Sequence, residues 1–318
     1  MADSTFLNWK LASGRLAAIV FVVGLGLFSL LGEEMVSKDK CVGSLVGLAI
    51  GDALGAPVEF MARGSFRPVT GYRSGGPFKL NAGDWTDDTS MALALADALI
   101  FTGGEFREEV ILSHWLEWYR KGKYSVNGRC FDKGNQTRNA LEYFQKNGKA
   151  IGPNEEALGN GGVMRLAPAA IVDAFKDSDS PTISIRQSWL THPSSEANEV
   201  ATSLGMLLVS LLREQSIELS PLPKNTKPSV ANGGKATDAY EMALWAFRTT
   251  DSFDACVLAA ANLGGDSDSI GAVAGQIAGA HYGFSAMRSS SLVHELTDIS
   301  MIIETADRVC EVACGKTR

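Results

Sequence analysis

The sequence predicts an all-α protein, a compact single-domain bundle of helices. Three observations carry that prediction. Apolar residues recur at helical period in one segment after another from Lys40 onward. No stretch sustains the apolar–polar alternation of a strand. Several helical faces carry glycine and alanine in place of larger residues, which lets backbones approach closely, as buried central helices require. Composition agrees: the 318 residues are 45% hydrophobic and 20% charged, enough to bury a sizeable core.

The elements follow in order. Cys41–Leu54 (CVGSLVGLAIGDAL) is apolar, and Gly43, Gly47, Gly51 and Gly55 fall every fourth residue, on one helical face. Arg63–Thr86, rich in Gly and Pro, reads as a long loop. Helical periodicity continues over Ser90–Phe101, Phe106–Lys121 and Thr137–Lys146. It resumes over Glu196–Leu212, Thr237–Arg248, Phe253–Leu263 and Ile270–Tyr282, with a last helix near Leu292–Cys314. Gly271, Gly275 and Gly279 repeat the four-residue spacing. Ser216–Lys235 is polar and Pro-containing and reads as a surface loop, because the core pattern resumes on both sides. Trp115, Trp118 and Tyr119 share one amphipathic helix and read as core, and His114, His281 and His294 as isolated core or surface residues.

The N-terminus is different. Leu16–Gly32 (LAAIVFVVGLGLFSLLG) is almost wholly apolar and follows Lys10 and Arg15, the pattern of a signal or anchor. Yet it is at the short limit for a spanning helix and has no small-x-small cleavage site before Glu33. Met35 opens a polar stretch that reads as a cytosolic start. We therefore expect residues 1–34 to be an extension outside the core and residues 35–318 to form the domain, in the cytoplasm. Export or anchoring through residues 16–32 is the alternative, and the sole route to a membrane. Five scattered cysteines, an odd number, fit reduced thiols better than a disulfide framework. Cys310 and Cys314 lie one turn apart, but no second pair completes a zinc site. A formal charge of -7 disfavours nucleic acid as the main partner. A diphosphate can still be held locally by backbone amides or bound cations.

Two acidic constellations carry the chemistry. Gly83-Asp84-Trp85-Thr86-Asp87-Asp88-Thr89 leads directly into an apolar helix. A single Thr or Asp there is an ordinary N-cap, but a Thr and two successive carboxylates repel one another unless a cation neutralises them. Asn262-Leu263-Gly264-Gly265-Asp266-Ser267-Asp268-Ser269 leads into a Gly/Ala-rich helix, with the glycines free to take positive φ. Asp266 and Asp268 can point to one side, and Ser269 adds a hydroxyl. Each segment read alone is a capped turn. Together they supply hard oxygen donors and no soft ones, which selects Mg²⁺, Mn²⁺ or Ca²⁺ over zinc, in pairs about 3.5–4 Å apart in hydrolytic sites. No Gly-x-Ser-x-Gly elbow, Walker loop or dinucleotide fingerprint occurs.

Five segments in this order resemble the ADP-ribosylglycohydrolase family: Gly51–Glu59 (GDALGAPVE), Trp85–Thr89, Gly159–Arg165 (GNGGVMR), Thr191-His192 and Gly264–Ser269. They span Cys41 to about Gly283. The resemblance implies an all-α fold with a binuclear magnesium centre, Mn²⁺ being an alternative, and metal ligands at Thr86, Asp87, Asp88, Asp266, Asp268 and Ser269. The last is often Thr in the family, and Ser keeps the hydroxyl. It implies a hydrolase that cleaves the glycosidic bond between ADP-ribose and an acceptor on a protein or small molecule. Glu59, Asp87 and Asp268 are then the catalytic candidates, with Glu59 or a metal-bound Asp guiding the proton through an oxocarbenium-like transition state. Asn160, Gly161, Gly162 and His192 become candidate ADP-ribose contacts. Asp132 matches a segment on the leaving-group side in the dinitrogen reductase-type enzymes, so the expected acceptor is arginine or another guanidinium. ADP-ribosylserine, O-acetyl-ADP-ribose and a non-catalytic ADP-ribose-binding role are the alternatives. Read alone, Glu59 is a loop residue, the glycine run a plain turn, and His192 a structural hydrogen-bonder.

Overall fold

Glycine spacing decides the centre of the molecule. In a computed structural model that describes residues 36–217, 219–223, 225–226 and 232–315, thirteen α-helices follow one another: α1 (Lys38–Gly55), α2 (Asp87–Phe101), α3 (Glu108–Lys121), α4 (Asn135–Asn147), α5 (Ala167–Ala174), α6 (Thr182–Trp189), α7 (Ser195–Leu212), α8 (Ala236–Arg248), α9 (Phe253–Ala261), α10 (Ser267–Tyr282), α11 (Phe284–Met287), α12 (Ser291–His294) and α13 (Ile299–Ala313). No strand occurs among the described residues, only isolated bridges at Gly75–Leu80 and Gly159–Lys235. The fold is the all-α bundle expected. The chain divides into two units, residues 1–33 and 34–318. The expected extension, residues 1–34, lies outside the described residues.

α1 and α10 form the most extensive helix pair. Every residue from Cys41 to Gly55 is buried, so α1 is apolar on all sides, as a helix enclosed by others must be. Among the described residues its stretch is the one long and apolar enough to cross a membrane, and its apolar part is buried inside the protein. Where the two helices meet, Gly43 faces Gly279, Gly47 faces Gly275 and Gly51 faces Gly271, backbone against backbone. A methyl group on Gly51 would overlap the carbonyl oxygen of Gly271, so no side chain fits at this crossing. The same face continues to Gly55, which meets Ser267 at the start of α10. The Ser267 hydroxyl donates to the Gly55 carbonyl at 2.9 Å. The glycine seam thus brings the C-terminal end of α1 against the N-terminal end of α10.

The remaining helices surround this pair. α3 buries Ile111, Leu112, Trp115 and Trp118 and ends at Gly122, whose φ of 68° closes the helix in the left-handed conformation. Three helices were not expected: α5, α6 and the four-residue α11. α5 and α6 have eight residues each, too short for an apolar period to repeat. Asp173 at the end of α5 accepts from the Ile183 and Ser184 amides and so caps α6 from outside it. The single last helix expected over Leu292–Cys314 is two, because Asp298 takes φ 50° between α12 and α13. α2 begins at Asp87, not Ser90, which puts Asp87 and Asp88 inside its first turn.

Candidate metal centre

The two acidic segments meet at the seam. Asp52 lies on α1 one turn before Gly55 and is fully buried. Its carboxylate accepts from the Thr86 amide at 2.9 Å, the Thr86 hydroxyl at 2.9 Å, the Thr89 amide at 3.0 Å and the Thr89 hydroxyl at 2.6 Å. Burial raises Asp52 to about 6, against the hydrogen bonds that favour its charge. This one side chain therefore fastens the first turn of α2 to α1. The Thr86 hydroxyl also lies 3.3 Å from Asp268 Oδ2, and the Ser269 hydroxyl 3.4 Å from Asp88 Oδ2. The α2 and α10 starts are thus in direct contact.

Neither start is capped in the ordinary way. Thr86 and Asp266 occupy the N-cap positions of α2 and α10, yet neither side chain accepts from its own helix. Asp266 Oδ2 instead accepts from the Asn160 amide group at 2.7 Å, and its backbone N–H donates to the Asn232 carbonyl at 2.6 Å. Asn160 also donates to the Gly233 carbonyl at 2.9 Å, which ties the short 3-10 turn Asn160–Gly162 to the centre.

Glu59 arrives by a second device. The chain leaves α1 through a Gly-Ala-Pro turn and Phe60 takes φ 63°. Phe60 N–H then donates to the Gly265 carbonyl at 2.7 Å, and Gly265 N–H to the Met61 carbonyl at 2.8 Å. This reciprocal pair needs Gly264 and Gly265 at φ 68° and 71°. A Cβ at Gly264 would also meet the Met61 carbonyl at 2.5 Å. Glu59 is thereby held beside Asp266 and Asp268, and it is buried. Asp132 enters from the α3–α4 loop, itself at φ 55°, with the neighbouring Phe131 ring against Phe78 at 5.2 Å. Carboxylate atoms of Glu59, Asp132 and Asp268 all lie within 4.8 Å of one another. Asp132 therefore sits at the acid cluster, beside Glu59 and Asp268.

Asp52, Glu59, Asp87, Asp88, Asp132, Asp266 and Asp268 together concentrate negative charge in a water-poor volume. Burial and then the Asp132 charge push Glu59 up to about 10; burial and then Asp87 push Asp132 up to about 10. Asp87, Asp88 and Asp268 are likewise driven well above the ordinary carboxylate range, burial first and neighbouring carboxylates second. Glu59 Oε2, Asp88 Oδ1, Asp132 Oδ2 and Asp268 Oδ1 are buried with no partner among the described residues. Orphaned anionic oxygens converging in one place are what a hard cation satisfies, so the donor set fits Mg²⁺-class ions and supplies no thiolate or imidazole for a softer one. All six residues expected as ligands, Thr86, Asp87, Asp88, Asp266, Asp268 and Ser269, are at this centre.

The candidate ligand-binding residues flank it. The His192 ring lies against the glycine turn: a Cβ on Gly159 would come 3.0 Å from His192 Nε2, and one on Gly161 2.5 Å from Cε1. Gly162 faces Ser188 just as closely. Three residues of the site, Asp52, Arg165 and Thr191, lie within the matched motifs but were assigned no role. For Asp52 a carboxylate in the middle of a Gly/Ala helix was a further signal. Trp115, read as core, is buried but also carries the Arg165 guanidinium 4.0 Å from its ring centroid.

Comparison with known proteins gives the same grouping. The ADP-ribosylglycohydrolase family profile matches residues 33–317. A protein of Serratia proteamaculans named ADP-ribosylarginine hydrolase Tri1 is 42% identical over 282 residues, covering 79% of this chain and 74% of its own. The ADP-ribosyl-[dinitrogen reductase] glycohydrolase of Rhodospirillum rubrum is 31% identical over 265 residues, covering 77% and 86%. A solved structure described as an ADP-ribosylglycohydrolase-related protein complex superposes with a TM-score of 0.73 at 32% identity, over 87% of this chain and 98% of that one.

Proposed function

The chain belongs to the ADP-ribosylglycohydrolase family, and from that premise we propose that it uses two Mg²⁺ ions to hydrolyse the bond between ADP-ribose and an arginine guanidinium. It is a glycohydrolase. The observation that carries the metal reading is the set of buried carboxylate oxygens without partners where α1, α2 and α10 converge. The arginine preference draws support from relatives named for ADP-ribosylarginine and from Asp132 beside Glu59 and Asp268.

Thr86, Asp87, Asp88, Asp266, Asp268 and Ser269 would hold the ions. When bound, these supply Lewis acidity, charge neutralisation and activation of water. The chain's own groups do the rest. Water adds to the sugar carbon as the carbon–nitrogen bond breaks, so a proton leaves the water and one reaches the departing nitrogen. In this reading Glu59, which burial and the surrounding negative field raise, would be relieved of that field by the bound cations; at the cluster and outside the expected ligand set, its carboxylate takes the water's proton and returns one to the departing nitrogen. Asp132 faces the same volume, and a carboxylate there can grip a planar guanidinium in two hydrogen bonds. The reading assigns the diphosphate and ribose to the glycine turn Asn160–Gly162 and the neutral ring of His192, supported by the packing of that ring against the turn. The reading includes a cytoplasmic setting, supported by an odd, scattered set of five cysteines.

Turnover of ADP-ribosylarginine, ADP-ribosylserine and O-acetyl-ADP-ribose, each with Mg²⁺ and with chelator, tests both parts. We expect Mg²⁺-dependent release of ADP-ribose with arginine preferred, and Asp132→Ala costing that substrate about 30- to 150-fold in kcat/KM while sparing the serine linkage. Undiminished turnover in chelator removes the metals from the reaction. A wild-type preference for serine, or equal losses on both linkages, removes the arginine assignment.

A further inference from the structure

Arg165 is a fully buried cation with no carboxylate in hydrogen-bond contact among the described residues. It follows the glycine turn, stacks on Trp115 at 4.0 Å, and donates from Nε to Gln187 Oε1 at 3.1 Å. Its closest contact is Nη2 to the Thr191 hydroxyl at 2.6 Å. That hydroxyl lies 2.8 Å from His192 Nδ1. Arg165 has no acceptor to offer, so the Thr191 oxygen must accept from it. The hydroxyl proton has one acceptor within reach, His192 Nδ1. Were Nδ1 to carry a proton instead, the Thr191 proton would be left unpaired in the interior, at a cost of about 1–3 kcal/mol. The chain of bonds therefore runs one way, from Arg165 through Thr191 to Nδ1. Nδ1 is an acceptor, and the ring proton must sit on Nε2.

We propose that Arg165 and Thr191 are positioning residues that lock His192 in its Nε2–H tautomer, so that the site presents a fixed donor to an oxygen of the bound ADP-ribose. The ligand half of this inference rests on the function proposed above; the tautomer half does not. Nε2 is the edge of the ring set against Gly159 and Gly161, beside Asn160 and its bond to Asp266. Thr191 is the one hydrogen-bond partner of the ring among the described residues, so the Nε2 donor remains available to a ligand. The ring also stays uncharged at neutral pH, since burial and then the Arg165 charge push His192 down to about 3. Arg165 keeps its proton, with burial drawing it down to about 9 and the charges of Asp87 and Asp88 opposing that shift. The device gives the site direction: a donor that cannot switch to an acceptor favours an anionic or carbonyl-like oxygen over a hydroxyl proton or an amine.

Imidazole nitrogen-15 spectra of the full chain read the tautomer directly, and four histidines make assignment simple, with His192→Gln identifying the signal. The expected wild-type spectrum has His192 Nδ1 bare and Nε2 protonated. Thr191→Val keeps the shape and removes the hydroxyl. It should mix or invert that signature and weaken ADP-ribose binding about tenfold, and Thr191→Ser should restore both. Arg165→Lys, which keeps a donor, should preserve the signature better than Arg165→Met. A protonated Nδ1 in the wild type, or a signature untouched by Thr191→Val, overturns the relay. A locked tautomer in a protein that does not bind ADP-ribose leaves the relay standing and overturns the ligand assigned to it. The substrate assignment and the tautomer thus fail in different measurements.

Discussion

Two kinds of helix start coexist in this molecule. At α9 and α7, Ser252 and Ser194 accept from the amides of Ala255 and Ala197, and the residue type satisfies the helix it precedes. At α2 and α10, Thr86 and Asp266 occupy the same position with equally good capping chemistry and do not cap their own helices; for α2 it is Asp52, on α1, that accepts from the Thr89 amide. Their oxygens turn to Asp52, Asp268 and Asn160. At the first pair of ends the side chain serves stability. At the second, the Thr86 oxygen turns toward the other acidic start, and the acidic residues of the first turns repel one another besides. A missing cap is not itself diagnostic, since Ser37 of α1 and Asp298 of α13 also leave their helices without a side-chain cap; what sets α2 and α10 apart is that their oxygens converge on buried carboxylates.

Substitutions can break that comparison. The largest effect should come at the two acidic ends. Asp88→Asn and Asp268→Asn each remove an anionic oxygen, and we expect Mg²⁺ affinity in calorimetric titration to collapse and kcat/KM to fall at least about a hundredfold. The chelated variants should melt no lower than the chelated parent, because one repulsive charge is gone. An unchanged Mg²⁺ affinity in both would mean that these ends are not ligand sites. Glu59→Gln should cut kcat about 100- to 1,000-fold with ADP-ribose affinity mostly kept, since only the proton acceptor is lost.

A smaller effect follows from pH. Glu59 and Asp132 have folded-state values raised to about 10, so each holds its proton more tightly in the fold than in the unfolded chain. The stability they allow is complete below the unfolded carboxylate value of about 4 and is lost as pH rises toward about 10. The melting temperature of chelated protein should therefore fall between pH 5 and pH 9, and saturating Mg²⁺ should flatten that slope. A chelated protein that grows more stable with rising pH contradicts the charge crowding. The smallest effect belongs to the capped end. Ser252→Ala should cost about 1 kcal/mol, a shift of a few degrees in melting temperature, with activity intact.

Sequence alone distinguished these ends only in part. The long helices announce themselves because an apolar stripe repeats over several turns, as in α3 and α7. α5 and α6 do not, because eight residues hold barely two turns, and what anchors α6 is Asp173 in the preceding helix. The break at Asp298 depends on one backbone angle that Leu292–Cys314 periodicity cannot express. In the site, the two acidic runs were legible since like charges in succession demand a cation. Asp52 stands in a matched motif, but its role was not legible, because the two residues that donate to it, Thr86 and Thr89, lie 34 and 37 residues away. Arg165 and Thr191 are separated by 26 residues, and each looks ordinary without the other. For Asp132 a motif match gave a place, and what periodicity could not show is its left-handed backbone and its approach to Glu59 and Asp268.

The glycine seam also sets when the protein can begin to work. Its two halves, Gly43–Gly55 and Gly271–Gly279, are drawn from opposite ends of the domain, so the acids on α1 and α2 wait for those on α10. A ribosome releasing this chain exposes Asp52, Asp87 and Asp88 long before Asp266 and Asp268 emerge. No partial product that stops short of α10 brings the two acidic runs together, and closing a loop of such length is among the slow steps available to a helical protein. A chain truncated before residue 266 has its first acids and nothing to set against them, so premature termination anywhere in the intervening stretch yields a product without the acid cluster.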